Sequence, residues 1–194
     1  MIRTLELPEK QQLLDLGSGG GLPGLVVAAA WPSVRMVLLD ANARRCEFLE
    51  RAVIACGLED RVSVVHQRAE VYGRSHEGRA SFDGVVVRSF GPPAVVAECA
   101  APLLHVGGWL IVSEPPVEIE PDEGAGNPKG EQSRSPEELL GGSTRWPADQ
   151  LEQLGLQPIK TARAEFGYQV LRQFNLCPDR FPRRDGIPAK RPLF

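Results

Sequence analysis

Residues 13–24 read LLDLGSGGGLPG, an apolar run that breaks into closely spaced glycines. Glycine weakens a regular element unless its missing side chain is useful, so this turn is built for close approach to its backbone. Two templates fit. Gly19, Gly21 and Gly24 satisfy G-x-G-x-x-G, the dinucleotide fingerprint. Gly17, Gly19 and Gly21 satisfy G-x-G-x-G, the turn that lies against the methionine part of S-adenosylmethionine.

Working outward, Gln12–Leu16 reads as a buried strand feeding the turn, and Leu22–Trp31 as a helix closed by Pro32. Val34–Leu39 is a second strand that ends at Asp40. Helical spacing of Phe48, Leu49, Ala52, Val53 and Cys56 predicts a helix over Asn42–Cys56, with Gly57 just past its end. Arg61–His66 is the third strand, Ala69–Ala80 a loop or weak helix, and Phe82–Val87 the fourth strand. A helix over Pro93–Leu104 and a fifth strand over Gly107–Val112 follow. This alternation predicts an α/β fold whose sheet is mostly parallel, with helices on both faces. From Glu114 to about Arg145, prolines, glycines and charges predict a long mobile loop. Beyond it come a helix over Trp146–Gly155 and an antiparallel pair, Leu156–Arg163 with Gly167–Asn175. Residues 1–194 thus form one domain around a sheet of seven strands.

Composition excludes several classes. A net charge of −3, from 22 basic and 25 acidic residues, argues against nonspecific coating of nucleic acid. No apolar run approaches the roughly 18 residues of a membrane span, and MIRTLELPEKQQ lacks the apolar stretch of a signal peptide. Cys46, Cys56, Cys99 and Cys177 are far apart, which fits reduced thiols of a cytoplasmic protein better than metal ligands or disulfides. Charge is nonetheless uneven. The tail RFPRRDGIPAKRPLF, residues 180–194, gathers cations against Asp185 alone. Such a patch could meet phosphates or be a solvated terminus.

Either glycine reading makes the first loop a cofactor loop, since ligands bind open parallel sheets outside the carboxyl ends of the strands. The helix that follows is expected to offer its unpaired N–H groups. Asp40 is placed to accept hydrogen bonds from both ribose hydroxyls, in a nicotinamide enzyme or a methyltransferase alike. Two features favour S-adenosylmethionine. Pro23 stands where a helix over a pyrophosphate needs free N–H groups, and the sheet ends in an antiparallel pair, as in class I methyltransferases.

The chain resembles the 16S ribosomal RNA guanine-N7 methyltransferases, the glucose-inhibited division protein B family. The resemblance rests on DLGSGGGLPG at 15–24, LLDANARRCEFLERA at 38–52, Arg68-Ala69-Glu70, Arg88 after FDGVVV, PLLHVGG at 102–108 and FPRRDGIPAKRPL at 181–193. It implies a class I fold that moves a methyl group from S-adenosylmethionine to N7 of one guanine in small-subunit ribosomal RNA. By position, Gly17, Ser18, Gly19 and Gly21 would line the methionine moiety, with Leu22 and Pro23 beside it. Asp40 would hold the ribose, and Ala69 and Glu70 would border the adenine. Arg88 would stand at the mouth of the active site, and Arg183, Arg184, Lys190 and Arg191 would help hold RNA.

The sequence also departs from the family. Family members usually carry a helical segment of several dozen residues before the first strand, which covers the cofactor cleft, and in this sequence only about a dozen residues precede that strand. The fifth strand, which usually ends in Lys-Gly, ends in Ser113-Glu114-Pro115, and Glu114 is expected to repel a polyanion. The insert from about 115 to 145 is long and acidic, and Arg88 is followed by Ser89 rather than alanine. The residues alone leave open a methyltransferase for another RNA or a small molecule, and a noncatalytic cofactor-binding module.

Overall fold

The computed structural model describes residues 11–115, 145–162 and 167–194. Seven strands form one sheet: β1 (Gln11–Leu16), β2 (Val34–Asp40), β3 (Val62–His66), β4 (Phe82–Val87), β5 (Leu104–Glu114), β6 (Leu156–Ala162) and β7 (Gly167–Gln173). Their order is β3-β2-β1-β4-β5-β7-β6. The first five pair in parallel, while β7 runs antiparallel to both β5 and β6. The strand order reverses between β1 and β4, which opens a crevice beyond their carboxyl ends. The glycine turn leaves β1 at that point, and Arg88 leaves β4 beside it.

Helices α1 (Gly24–Ala30) and α2 (Ala43–Ala55) cover one face of β1, β2 and β3. Ala28, Leu49 and Val53 close there over Met36, Leu38 and Val62. On α2 the buried set is Cys46, Leu49 and Val53, spaced three and four residues apart, with Asn42 capping the helix through Arg45 N–H. Phe48 and Cys56, expected on the apolar face, are exposed, because the inward stripe runs through Cys46 instead. The opposite face holds the larger core, in which Leu14, Leu16, Val85, Val87, Leu110 and Leu171 are all buried. That core is closed by α3 (Ala69–Tyr72), α4 (Pro93–Ala100), α5 (Ala148–Glu152) and the C-terminal segment carrying α6 (Ile187–Lys190).

Boundaries shift where glycine and proline intervene. Gly17, Gly19 and Gly21 all hold positive φ, and α1 starts only at Gly24 rather than Leu22. The fourth helix ends at Ala100 in a 3-10 turn over Ala101–Leu103, so β5 starts at Leu104 and runs to Glu114. Most of the expected loop at 114–145 lies outside the described residues.

Candidate active site

The glycine turn is fixed from below and open above. Gly17 and Ser18 donate their N–H groups to Leu39 O at the end of β2, at 2.8 and 3.1 Å, and Gly21 donates to Ser18 O at 2.7 Å. Gly19 N–H donates to Asp40 Oδ2 at 2.9 Å, while Asp40 Oδ1 accepts from Asn42 N–H at 2.8 Å. Arg45 Nη1 also stands 3.7 Å from Oδ2, an ion pair beyond hydrogen-bonding distance, so each Asp40 oxygen accepts one hydrogen bond and has capacity for a second, as a ribose diol requires. Among the described residues, the N–H groups of Gly20 and Leu22 have no acceptor. Two free donors over a carboxylate suit a cofactor that carries both an amino-acid carboxylate and a ribose.

Above the turn lies a cleft of about 350 Å³ lined by Gly17, Ser18, Gly19, Gly20, Leu22, Arg45, Arg88 and Ser89. Gly21 and Pro23 fall outside that lining. Gly21 is buried against Leu25 and Leu49, and Pro23 caps α1. The Ser18 hydroxyl is spent on Asp15 O at 2.9 Å, so it shapes the turn. A Cβ on Gly17 would meet the Phe90 ring at 2.5 Å, so this glycine lets the ring lie against the turn.

Of the N–H groups expected to be free at the start of α1, those of Gly24, Leu25 and Val27 are taken, and that of Val26 has no acceptor among the described residues. Gly24 N–H donates to Asp15 Oδ2 at 2.8 Å, and Leu25 N–H to Gly21 O. Asp15 is a buried carboxyl that sequence reading passed over, although an acid just ahead of the glycines was the visible signal. Burial pushes its pKa up to about 6, against the opposing pull of Gly24 N–H and Ser18. The folded chain thus holds this proton more tightly than the unfolded chain, whose value lies near 3.8. Asp15 adds stability below that lower value and loses it as pH rises through about 6. Urea melts at several pH values should show Asp15→Asn lacking the component that stabilises wild type between pH 6 and 4. An unchanged difference between the two proteins across that range would contradict the assignment.

A second cleft, of about 670 Å³, opens over the ends of β4 and β5 and shares Arg88 and Ser89 with the first. Phe90, Pro93, Val96 and Val112 form apolar walls, and Ser113, Glu114, Arg145 and Trp146 close the far side. No hydrogen bond or ion pair engages the exposed Arg88 guanidinium among the described residues. Ser89 is non-glycine yet holds φ at 54°, a conformation that costs energy and clusters at functional sites. Glu114 does not face solvent as a repulsive charge. Its Oε1 accepts from Trp146 Nε1–H at 2.8 Å, and its Oε2 pairs with Arg145 Nε at 2.9 Å. The expected repulsion of a polyanion is thereby offset within the fold.

The tail divides into anchors and free cations. Buried Glu98 on α4 takes Arg183 from three sides: backbone N–H at 2.8 Å, Nε at 2.8 Å and Nη2 at 2.6 Å. Arg183 is therefore a fold-holding residue rather than a free RNA contact. Arg74 donates to Pro182 O and Arg183 O, and Arg79 to Phe181 O and Cys177 O. The polar stretch at 69–80 is thus the landing surface of the tail. Glu70, expected beside adenine, is buried and accepts from Arg68 at 3.0 Å and from Gly186 N–H at 2.9 Å. Burial raises its pKa, but Arg68, backbone N–H groups and the Arg68 charge outweigh that and hold it below the usual range. Neither Ala69 nor Glu70 lines either cleft. Arg184, Lys190 and Arg191 are exposed, and their side chains pair with nothing among the described residues. No helix of the described residues is long and apolar enough to cross a membrane.

Comparison with known proteins converges on one family. The family model GidB, rRNA small subunit methyltransferase G, matches residues 2–118. Ribosomal RNA small subunit methyltransferase G of Thermotoga petrophila is 35% identical over 191 residues, spanning 96% of this chain and 75% of the relative. The protein of the same name from Moorella thermoacetica is 32% identical, over 98% of this chain and 72% of its own length. Among solved structures, the antibiotic-resistance methyltransferase Kmr superposes with a TM-score of 0.61 at 15% identity, covering 86% of this chain and 89% of Kmr. That likeness establishes the fold. The match to the family model and the identity to these relatives place the chain in the GidB family, the rRNA small subunit methyltransferase G family.

Proposed function

We propose that this chain is an S-adenosylmethionine-dependent methyltransferase that modifies N7 of a guanine in small-subunit ribosomal RNA. The observation that carries the reading is the pair of clefts joined at Arg88 and Ser89, one over the glycine turn, whose Gly19 N–H is held by Asp40 just outside that lining, the other larger and walled in part by Phe90, Pro93, Val96 and Val112. When bound, the cofactor supplies an electrophilic methyl group on a sulfonium.

Guanine N7 carries a lone pair and no proton, so the chain needs no general base. Its work is to hold the acceptor in line and keep water away. Phe90 packs on Gly17 at the junction and gives a purine an apolar wall next to the cofactor turn. Arg88 offers donors to the guanine O6 or an adjacent phosphate. Arg184, Lys190 and Arg191 would meet RNA phosphates, which makes RNA affinity fall steeply with salt.

Calorimetric titration with S-adenosylmethionine should show binding, and Arg88→Ala should keep that affinity. Its turnover on RNA should drop roughly ten- to hundredfold, the range of one charge-assisted hydrogen bond. Loss of cofactor binding in a folded Arg88→Ala protein would contradict the assigned role.

A further inference from the structure

We infer that Glu114 reads the target base as guanine, by accepting hydrogen bonds from its N1–H and N2 amino groups. The inference rests on the guanine-N7 reading above and assigns the residue that sets base identity.

Glu114 ends β5, and Arg88 follows β4, whose Val87 pairs with Val112 of β5. The two side chains thus stand at neighbouring strand ends and line one cleft. A purine there with N7 toward the shared border at Arg88 and Ser89 turns its Watson–Crick edge away from the cofactor, toward the side that Glu114 closes. A carboxylate accepts through two oxygens with two lone pairs each. Trp146 Nε1 occupies one site on Oε1 and Arg145 Nε one on Oε2, at 2.8 and 2.9 Å. By lone-pair count one site remains on each oxygen, the number that N1–H and the N2 amino group require, on a side chain that lines the cleft with only 3% of its surface exposed. Trp146, itself buried, fixes the carboxylate, and Arg145 offsets its charge toward an anionic substrate.

The same carboxylate matches the charge flow of the reaction. The N7 lone pair forms the new bond to the methyl carbon, and the sulfur–methyl bond breaks with its electrons staying on sulfur. Positive charge passes to the purine, and no proton moves. A purine gaining positive charge donates more strongly through N1–H and N2–H, so its bonds to Glu114 tighten toward the transition state. Interactions that strengthen in this way raise rate rather than only affinity. Adenine, with an acceptor at N1 and no 2-amino group, would set acceptor against acceptor, a mismatch that discriminates strongly.

The test pairs Glu114→Gln with a ligated small-subunit RNA transcript bearing inosine at the position that wild type methylates. Inosine keeps N7, O6 and N1–H and lacks only the 2-amino group. Wild type should lose about ten- to hundredfold in kcat/KM on the inosine RNA. Glu114→Gln should fall by a similar factor on guanine RNA, hardly distinguish guanine from inosine, and bind S-adenosylmethionine as wild type does. Equal wild-type rates on the two RNAs would overturn the inference even if Glu114→Gln failed to fold. So would a folded Glu114→Gln with wild-type rate and discrimination. No transfer by wild type to guanine RNA would overturn the guanine-N7 reading, and this inference with it.

Discussion

Replacing Arg183 by alanine should destabilise the protein by about 3–5 kcal/mol, the cost of stranding one member of a buried ion pair. Glu98 is wholly buried, and among the described residues its carboxylate is held only by the backbone and guanidinium of Arg183. With the guanidinium gone, one backbone N–H would remain to satisfy a carboxylate that water cannot reach. The loss would spread, because Arg183 Nη2 also donates to Arg191 O and so ties the two ends of the tail together. Arg184→Ala is the matched control: it removes an equal charge from the next position, where the side chain is exposed. Denaturant melts should show little change for Arg184→Ala and a large drop for Arg183→Ala. Equal stabilities for the two variants would show that the Glu98–Arg183 contact holds nothing.

Asp40→Ala should weaken S-adenosylmethionine binding by at least about 1.5–3 kcal/mol, the worth of a charge-assisted hydrogen bond. Two losses combine in this variant. The ribose would lose its acceptor, and Gly19 N–H and Asn42 N–H would lose the carboxylate that holds the turn against the start of α2. Asp40→Asn separates them, since it keeps an acceptor and discards the charge; its affinity should fall between wild type and alanine. Calorimetry giving wild-type affinity for Asp40→Ala would remove Asp40 from the site.

The order of elements was legible because local signals agreed. Apolar strands alternate with helices, and glycine or proline marks most of the junctions, so all seven strands could be placed to within a few residues of their observed ends. Asp40 was legible for a similar reason: an acid closing the second strand of such a sheet has one place to stand. What escaped was long-range pairing of charge. Nothing near Arg183 in sequence marks it as the partner of Glu98, 85 residues away, so a run of cations read as one RNA-facing patch. The same blindness made Glu114 a repulsive charge, when Trp146 and Arg145 reach it across the insert. Asp15 was hidden differently. Within a buried strand its carboxyl has a partner only because the turn brings Gly24 N–H back over it.

The most direct test of the proposed activity is methyl transfer from labelled S-adenosylmethionine to unmodified small-subunit RNA, with the product digested to nucleosides and the label identified. The prediction is label in 7-methylguanosine at one position, strongly reduced with Asp40→Ala at limiting cofactor. Cofactor binding without label in RNA, or label on another base or another atom of guanine, would contradict it.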